Sequence, residues 1–434
     1  MLKRVINRLR AEVHRMKKLL SVLLLNPMFA RICQQRCSKS ARRIVANRGK
    51  VVRVAFLHMY AASNQTLRLF DLMLKDDAFD PYFIVNPDVL RSNENARYNY
   101  NKTRCELIDR YGVDRVLDGI SEGGNYVDFT GKFDLMTTNN PYEDMAAQYF
   151  KITYWAKHGV PSFYTSYFYM GRCKVSRMNI QMLSSSCLWR FFADNETVMA
   201  MARDLAVLHG RNFVLSGSPK MDGYANIVPA EKSKLRVMVA PHHSIGNVYP
   251  QNSAFLEYAD DLFEIMKEFS NIDFVFRPHP LLWENLQKEQ HWGVRKTEAY
   301  MAKVMALPNV CFSKGGDYLQ EFADSDALIH DCGSFAAEYL FTGKPCAYIY
   351  RPSLDITTYS ELGQECIRSH YLIYKREDLC GFLEKVVIGK NDYMIDRRRA
   401  FAREHLMYNY PHASEAILEN IKQALGRSCR STTK

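Results

Sequence analysis

Histidine and arginine side chains follow three strands that the sequence predicts in the second half of the chain. Pro241-His242-His243-Ser244 comes directly after the apolar run 237–240, and Arg277-Pro278-His279-Pro280 comes after the run 274–276. A third segment, His330-Asp331-Cys332-Gly333-Ser334, comes after 327–329. Because the carboxyl ends of parallel strands lie at the same edge of a sheet, we expect these segments to form one ligand site.

The residue types in these segments suit the binding of a pyrophosphate. Gly333-Ser334 at the start of a predicted helix offers backbone N–H groups and the positive end of the helix dipole to an anion. Arg277 adds a bidentate cation, and two prolines restrict the movement of His279. Glu338, one helical turn after Ser334, is expected to reach the ribose of a nucleotide. The residues predicted to bind the pyrophosphate-containing ligand are Arg277, His242, His243, Ser244, Asp331, Gly333, Ser334 and Glu338.

The elements that must position these residues alternate between strand and helix in two successive series. The first series has strand-like runs at 51–57, 82–85, 115–117, 133–137 and 212–215. The second series has them at 236–240, 272–276, 310–312, 327–329 and 346–349. Segments with helical spacing separate the strands, for example 64–74 and 93–111. This alternation predicts an α/β protein with two doubly wound, Rossmann-like domains that face a cleft.

Length and composition agree with a chain of two domains. With 434 residues, of which 47% are hydrophobic and 24% charged, the chain can form sizeable cores and is not a disordered protein. We predict a basic segment at 1–48, an N-terminal Rossmann-like domain at 49–228 and a C-terminal Rossmann-like domain at 229–395. Helices at 396–434 follow, and the last of them, 413–425, is expected to return to the first domain. The aromatic residues of 163–169 are interpreted as core or interface packing.

The net charge of +11 is concentrated at one end of the chain. Residues 1–53 contain fifteen Lys and Arg and the single acid Glu12, so the rest of the chain has a net charge of −3. A folded basic surface for nucleic acid is therefore not expected. The eleven cysteines form no CxxC pair, which favours reduced thiols in a cytosolic protein over a disulfide framework or a zinc site.

The basic leader has one apolar face. Its apolar residues follow the spacing of an amphipathic helix, which Asn26-Pro27 is expected to end. This pattern predicts peripheral attachment to an anionic membrane surface through residues 1–45. The uncharged run 19–30 is too short to span a bilayer. Two alternatives are a secretory signal and a solvated helix that packs on its own protein.

Several of these segments together resemble the C-terminal half of the CDP-glycerol glycerophosphotransferases, which build teichoic-acid and related capsular polymers. The resemblance is carried by Arg-Pro-His-Pro at 277–280, Ser-Asp-Ala-Leu-Ile-His-Asp-Cys-Gly-Ser at 325–334 and Gly-Lys-Pro-Cys at 343–346. Ser-Gly-Ser-Pro-Lys at 216–220 is similar to a further motif of the family and adds Ser218 and Lys220 to the candidate residues. The order and spacing of these motifs match over about 150–425.

The resemblance implies a GT-B fold, with the acceptor domain at 49–228 and the nucleotide-donor domain at 229–395, in a peripheral membrane enzyme on the cytoplasmic face. It also implies a CDP-linked polyol donor, a lipid-linked or polymeric acceptor, and no metal or other cofactor in catalysis. Of the two functional histidines in the family, one corresponds to His279. The other corresponds to His158 in His158-Gly159-Val160, where valine replaces the threonine of the family. His158 would then be the general base that accepts the proton of the acceptor hydroxyl. The pair His242-His243 replaces a threonine-containing loop, which indicates a divergent branch.

Three hypotheses about function follow. The leading one is a transferase that moves glycerol phosphate, or a related polyol phosphate, from a CDP-linked donor to a hydroxyl of a cell-wall or capsule polymer and releases CMP. The second is a GT-B glycosyltransferase that uses a nucleotide-sugar for surface polysaccharide synthesis. The third is a non-catalytic nucleotide-binding protein that is recruited to the membrane. A donor screen separates the first two, and the absence of turnover would favour the third.

Overall fold

The structure is a computed structural model that describes residues 24–47, 49–171, 174–246, 253–313, 317–350 and 356–427. The described residues divide into two units. The N-terminal unit runs to Tyr167 and also contains Arg177–Leu215 and the residues from Ser414 onward. The C-terminal unit contains Phe168–Ser176 and Ser216–Ala413.

The N-terminal unit is built on a parallel seven-stranded sheet with the strand order β3-β2-β1-β4-β5-β6-β7. Its strands are β1 (Val52–His58), β2 (Phe79–Val85), β3 (Val116–Asp118), β4 (Leu135–Thr138), β5 (Ser162–Thr165), β6 (Arg190–Ala193) and β7 (Phe213–Leu215). β1 and β4 are neighbours at the point where the winding reverses, as in a doubly wound sheet. Apolar side chains bury β1 along nearly its whole length, as expected for a central parallel strand.

Helices connect the strands of the N-terminal unit. They are α1 (Asn26–Ala46), α2 (Leu67–Leu74), α3 (Asn93–Tyr111), α4 (Ile152–Lys157), α5 (Lys174–Gln181), α6 (Leu183–Cys187) and α7 (Glu196–Leu205). α2 illustrates how they pack, because it buries Leu69, Phe70 and Met73 on one face. The Phe70 ring stacks on Phe83 of β2 with ring centroids 4.0 Å apart.

The C-terminal unit has a parallel six-stranded sheet with the order β10-β9-β8-β11-β12-β13. Its strands are β8 (Leu235–Ala240), β9 (Ile272–Phe276), β10 (Val310–Phe312), β11 (Ala327–His330), β12 (Cys346–Ile349) and β13 (Tyr371–Ile373). The remaining helices are α8 (Pro219–Asp222), α9 (Phe255–Glu268), α10 (Leu281–Leu286), α11 (Gly293–Met305), α12 (Leu319–Asp324), α13 (Phe335–Glu338), α14 (Glu361–Arg368), α15 (Arg376–Gly381), α16 (Ile395–Phe401) and α17 (Ala413–Ala424).

The prediction of an α/β protein with two doubly wound, Rossmann-like units is confirmed. β9, β10, β12 and α3 begin and end at the predicted residues. Three strands were not predicted. β5 and β6 lie in an aromatic-rich region where strand and helix periods are hard to distinguish, and β13 has only three residues. Phe163 and Tyr164 are buried, which agrees with their interpretation as core residues.

The boundary between the units differs from the predicted one. The chain enters the C-terminal unit at Ser216, so residues 216–228 belong to that unit and not to the first domain. Residues 396–413, which were assigned to a separate C-terminal segment, also belong to it. The predicted return of the last helix is observed, because Ile417 and Ile421 of α17 are buried in the core of the N-terminal unit.

Part of the leader is integrated into the N-terminal unit. Residues 1–23, which carry most of the predicted amphipathic helix, lie outside the described residues. Asn26-Pro27, expected to end a helix, stands at the start of α1, where proline is tolerated. Ala30, Cys33, Cys37 and Ala41 of α1 are buried in the N-terminal core. No helix in the described part of the chain is long and apolar enough to cross a membrane.

Candidate functional site

The predicted residues of the C-terminal unit lie where its sheet reverses its winding. β8 and β11 are neighbours at the centre of the sheet, and β9 lies on the other side of β8. His242 and His243 follow β8, His279 follows β9, and Asp331 follows β11. Ligands usually bind beyond the carboxyl ends of the strands at such a switch point.

Three histidine rings lie together at this edge of the sheet. The centroid of the His243 ring is 4.3 Å from that of His242 and 4.2 Å from that of His279. The centroids of His242 and His279 are 5.3 Å apart. One ring nitrogen from each residue lies within 4.8 Å of the others. We call these three residues the histidine cluster, and it brings together side chains from two of the three predicted segments.

Backbone amides determine which nitrogen carries the proton in two of these rings. His279 Nδ1 accepts the Leu281 N–H at 3.2 Å, and His242 Nδ1 accepts the Ser244 N–H at 3.3 Å. The Ser244 hydroxyl also lies 2.8 Å from His242 Nδ1. In the neutral rings the proton is therefore on Nε2, and both side chains offer an N–H donor. A metal ion requires a free lone pair on a ring nitrogen, whereas an anion requires an N–H donor. The protonation of these two rings therefore favours the binding of an anion.

Asp331 holds two segments beside the histidine cluster. Its Oδ1 accepts the His242 N–H at 2.6 Å, and its Oδ2 accepts the Ala254 N–H at 2.7 Å at the start of α9. Burial raises the pKa of Asp331 to about 6, although these hydrogen bonds lower it. Asp331 was predicted to bind the donor, but in this structure both carboxylate oxygens position backbone.

Arg277, the predicted cation for a pyrophosphate, is paired with a carboxylate. Its Nη1 donates to Glu321 Oε2 at 2.7 Å and to Ser313 Oγ at 2.8 Å. The Ser313 hydroxyl also donates to Glu321, at 2.5 Å. A guanidinium with this partner brings less net positive charge to a ligand than the prediction assumed. Ser313 directly follows β10, so the expectation that ligand residues follow the carboxyl ends of strands could have indicated it. No sequence signal indicated Glu321 on α12.

Glu338 is enclosed inside the C-terminal unit. Its Oε1 accepts the Tyr169 N–H at 3.1 Å and lies 3.9 Å from Lys220 Nζ. Its Oε2 accepts the Tyr318 hydroxyl. The residue is only 1% exposed. The expectation that Glu338 reaches a ribose is therefore not met, because its carboxylate binds groups of the protein.

Tyr318, which the sequence did not indicate, connects several of the predicted residues. Lys220 Nζ lies 4.4 Å from the centroid of its ring, and the guanidinium carbon of Arg277 lies 5.5 Å from it. Burial raises the pKa of the Tyr318 hydroxyl well above its ordinary value, and Glu338 raises it further. The Tyr318 hydroxyl donates to Glu338, and the Tyr318 ring links Lys220 and Arg277 to that carboxylate.

The Ser-Gly-Ser-Pro-Lys motif forms the turn that leads into α8. Gly217 has a φ of +87°, and a Cβ atom there would lie 1.9 Å from the Tyr408 carbonyl oxygen, so only glycine fits. Ser218 and Lys220 are buried. The turn thus places Lys220 beside Glu338, which gives this motif a structural role whether or not it contacts a ligand.

Gly333 and Ser334 lead into a short helical segment after β11. α13 is one turn long and continues as a 3-10 helix over Tyr339–Thr342. Ser334 is half-buried, with its hydroxyl 3.5 Å from Cys332 Sγ. A single turn provides a weaker helix dipole than the prediction assumed.

His158 lies in the N-terminal unit, in the loop between α4 and β5. It follows α4 and precedes β5, so it stands at the amino edge of a parallel sheet. The ring is exposed, with Nδ1 2.8 Å from the Tyr154 carbonyl oxygen. The role of His158 as general base stays a prediction from the resemblance, and its position at the amino edge argues against that role.

Comparison with known proteins identifies the fold. No protein-family model matches the chain, and no curated protein sequence matches it. Solved structures do match. The wall teichoic acid polymerase TagF has a TM-score of 0.54 and 12% identity over 97% of this chain and 98% of that chain. The S. aureus MnaA–UDP complex has a TM-score of 0.53 and 12% identity over 87% of this chain and 98% of that one.

A third structure, the Methanocaldococcus jannaschii UDP-GlcNAc 2-epimerase in complex with UDP-GlcNAc and UDP, has a TM-score of 0.51. Its identity is 12% over 86% of this chain and 99% of that one. The chain has a GT-B-like fold. This confirms the fold that the motif resemblance implied, and at such low identity it is the fold alone that is shared.

Proposed function

We propose that the protein is a transferase that moves glycerol phosphate, or a related polyol phosphate, from a CDP-linked donor to a hydroxyl of a lipid-linked or polymeric acceptor. The motif resemblance at 216–220, 277–280 and 325–334 supports this proposal, as does the fold shared with the wall teichoic acid polymerase TagF. The observation that carries it is the histidine cluster at the switch point of the C-terminal sheet, in which two rings offer N–H donors.

In the proposed reaction the acceptor hydroxyl attacks the β-phosphorus of the CDP-linked donor. A P–O bond to the acceptor forms as the bond from that phosphorus to the bridging oxygen breaks. CMP leaves with the bridging oxygen and its electron pair, and the hydroxyl proton passes to a base. Negative charge grows on the departing phosphate, where the Nε2–H groups of His242 and His279 would stabilise it. Asp331 contributes by fixing the backbone of His242.

The test is the release of CMP from CDP-glycerol by the purified protein in the presence of an acceptor. We expect His279→Ala to lower turnover about 10²-fold or more, because a donor to developing charge typically contributes about 3 kcal/mol. His405→Ala replaces a half-exposed histidine of the same unit and should retain normal turnover. A chelator should leave the wild-type rate unchanged. Near-normal turnover of His279→Ala would exclude this assignment of the site.

A second candidate is a GT-B glycosyltransferase that uses a nucleotide-sugar. The similar structure in complex with UDP-GlcNAc and UDP favours it, because a GT-B-like fold there holds a nucleotide-sugar. A screen of nucleotide-linked donors, read by mass spectrometry, separates the two candidates. Turnover of a UDP-sugar with inert CDP-polyols would replace the leading proposal. Nucleotide binding without turnover of any donor would indicate a non-catalytic protein.

We also propose that the protein attaches peripherally to an anionic membrane surface through its leader and the start of α1. The side chains of Leu24, Leu25, Met28 and Ile32 are exposed there, on the side of the helix opposite its buried face. Together with the fifteen basic residues of 1–53, these apolar groups suit the interface of an anionic bilayer. The cytoplasmic face of the cell membrane is where such an enzyme would meet a lipid-linked acceptor.

A further inference from the structure

A cavity of about 700 Å³ lies in the N-terminal unit, and none of its lining residues is assigned to the proposed reaction. It opens beyond the carboxyl ends of β2 and β3, with α3 along one side. Its volume is within the range of about 300–1,000 Å³ that small-molecule sites occupy. The carboxyl edge of a doubly wound sheet is also where ligands usually bind.

Three arginines line this cavity: Arg91, Arg97 and Arg104. Two of them are held by carboxylates of the same cavity. Arg104 Nε donates to Asp118 Oδ1 at 2.7 Å, and Arg91 Nε lies 3.3 Å from Asp88 Oδ2. In each pair the guanidinium is bound through Nε, so the orientation of the group is fixed while the terminal amino groups are not used in these contacts.

Arg97 supplies the charge that the aspartates do not balance. It is exposed and forms no ion pair or hydrogen bond with the part of the chain that the structure describes. With three arginines against two aspartates, the cavity has a net positive charge. Its lining includes Asn93, Ala96 and Arg97 from the first turns of α3, a helix of 19 residues that Ser92 caps through its side chain. The positive end of the helix dipole adds to the attraction for an anion.

The remaining walls provide hydrogen-bonding and aromatic groups. Tyr100 and Tyr126 contribute rings, and Asn93 and Asn101 contribute amides. Tyr100 donates its hydroxyl to Asp118 at 3.1 Å, so Asp118 joins a tyrosine and an arginine. Gly119 follows Asp118, and a Cβ atom there would lie 2.3 Å from the Val85 carbonyl oxygen. A glycine at this position lets the backbone after β3 approach the end of β2 closely.

We propose that this cavity binds the phosphate ester of a small hydroxyl-bearing molecule, such as a polyol phosphate or a sugar phosphate. Guanidinium groups recognise phosphate through paired N–H donors, and the uncompensated Arg97 makes the charge balance favourable. The carboxylates and amides of the same cavity suit the hydroxyl groups of the ligand. The site does not depend on the proposed transferase activity, because none of its residues belongs to the histidine cluster or to its supporting groups.

The experiment is isothermal titration calorimetry of the full chain with glycerol 3-phosphate, glycerol and inorganic phosphate. We expect glycerol 3-phosphate to bind more tightly than either of the other two probes. Arg97→Ala should weaken that binding about tenfold or more, since a hydrogen bond to a charged group contributes about 1.5–3 kcal/mol. Because Arg97 has no partner among the described residues, its removal should not disturb folding, which circular dichroism can verify.

Two further variants locate the bound probe. Lys102→Ala removes a cation of α3 that does not line the cavity and should leave the affinity unchanged. His279→Ala tests whether the histidine cluster of the other unit binds the probe instead. Loss of binding in His279→Ala with normal binding in Arg97→Ala would overturn the inference, as would equal affinity for glycerol and glycerol 3-phosphate. Either result is independent of whether CMP release is observed.

Discussion

The carboxylate of Asp331 is both a titrating group and a support for the histidine cluster. Its ordinary pKa is 3.8, and burial raises it to about 6 in the folded protein. Between these two values the folded protein binds more protons than the unfolded chain. The free energy of unfolding should therefore decrease as the pH rises from about 4 to 6, and this contribution is fully present only below pH 4.

Asp331→Asn should remove this pH dependence, because the amide does not titrate. Relative to the variant, the wild type should lose on the order of 3 kcal/mol of stability between pH 4 and pH 7. Urea unfolding at a series of pH values measures the difference. Asp273→Asn, which changes a half-exposed carboxylate of β9, provides the control. Parallel stability curves for the wild type and Asp331→Asn would contradict the assignment.

The position of His158 leads to an expectation that differs from the role that the motif resemblance implies. The residue is exposed at the amino edge of the N-terminal sheet. We expect His158→Ala to retain CMP release within about threefold, whereas the loss of a general base typically costs about 10²–10⁴-fold. Single-turnover rates with CDP-glycerol compare this variant with the wild type. A loss of two or more orders of magnitude would show that the motif resemblance is the better guide to this residue.

Sequence reasoning located the histidine cluster but not the contacts that neutralise its neighbours. His242, His243 and His279 could be predicted because each follows an apolar strand, and parallel strands bring their carboxyl ends together. The partners of Arg277 and Glu338 could not be predicted in the same way. Glu321 lies on a helix, and Tyr318 precedes it outside any motif, so both contacts arise from tertiary packing.

Among the secondary-structure elements, those with strong local patterns were predicted best. β9 and β12 are short apolar runs between polar turns, and the predicted first and last residues of both strands agree with the structure. β5 follows Gly159-Val160-Pro161 and continues into further aromatic residues, which obscures where the strand ends. α1 shows a different limit of sequence patterns. Its buried face of Ala and Cys is only weakly apolar, so its packing on the N-terminal unit was not evident.

The packing of α1 changes how the membrane proposal should be tested. A chain that begins at residue 47 would lack α1, whose removal opens the N-terminal core at Cys33 and Cys37. We expect it to lose about 2–5 kcal/mol or more, the usual cost of emptying core positions. A chain that begins at residue 24 keeps α1. It should unfold at the wild-type urea concentration but bind less to phosphatidylglycerol vesicles in a sedimentation assay.

A point variant tests the same surface without shortening the chain. Met28→Glu replaces an exposed apolar residue of α1 with a charge and should reduce vesicle binding. Gln35→Glu adds the same charge at an exposed polar position of the helix. Equal vesicle binding by the two variants would show that the apolar side chain at 28 makes no contact with lipid. If the chain that begins at residue 24 binds vesicles as well as the wild type does, the leader has no role in membrane attachment.

At the scale of the whole molecule, the chain completes its first unit with its last helix. Ile417 and Ile421 of α17 are buried in the core that contains β1, although they are more than 350 residues away along the sequence. Ion pairs of the same helix add to this contact, since Lys422 pairs with Asp76 and Glu415 pairs with Arg68. The N-terminal unit is therefore complete only when the C-terminal end of the chain has folded onto it.

Ile421→Ala should accordingly destabilise the N-terminal unit by about 2–5 kcal/mol, the range for a buried isoleucine that is truncated to alanine. Hydrogen exchange measured by mass spectrometry can assign the effect to a unit. Amides of β1 and β2 should exchange faster in the variant, while those of β8 and β9 should be little changed. Glu419→Ala removes an exposed side chain of α17 and should alter neither group. Faster exchange confined to β8 and β9 would mean that α17 belongs energetically to the C-terminal unit.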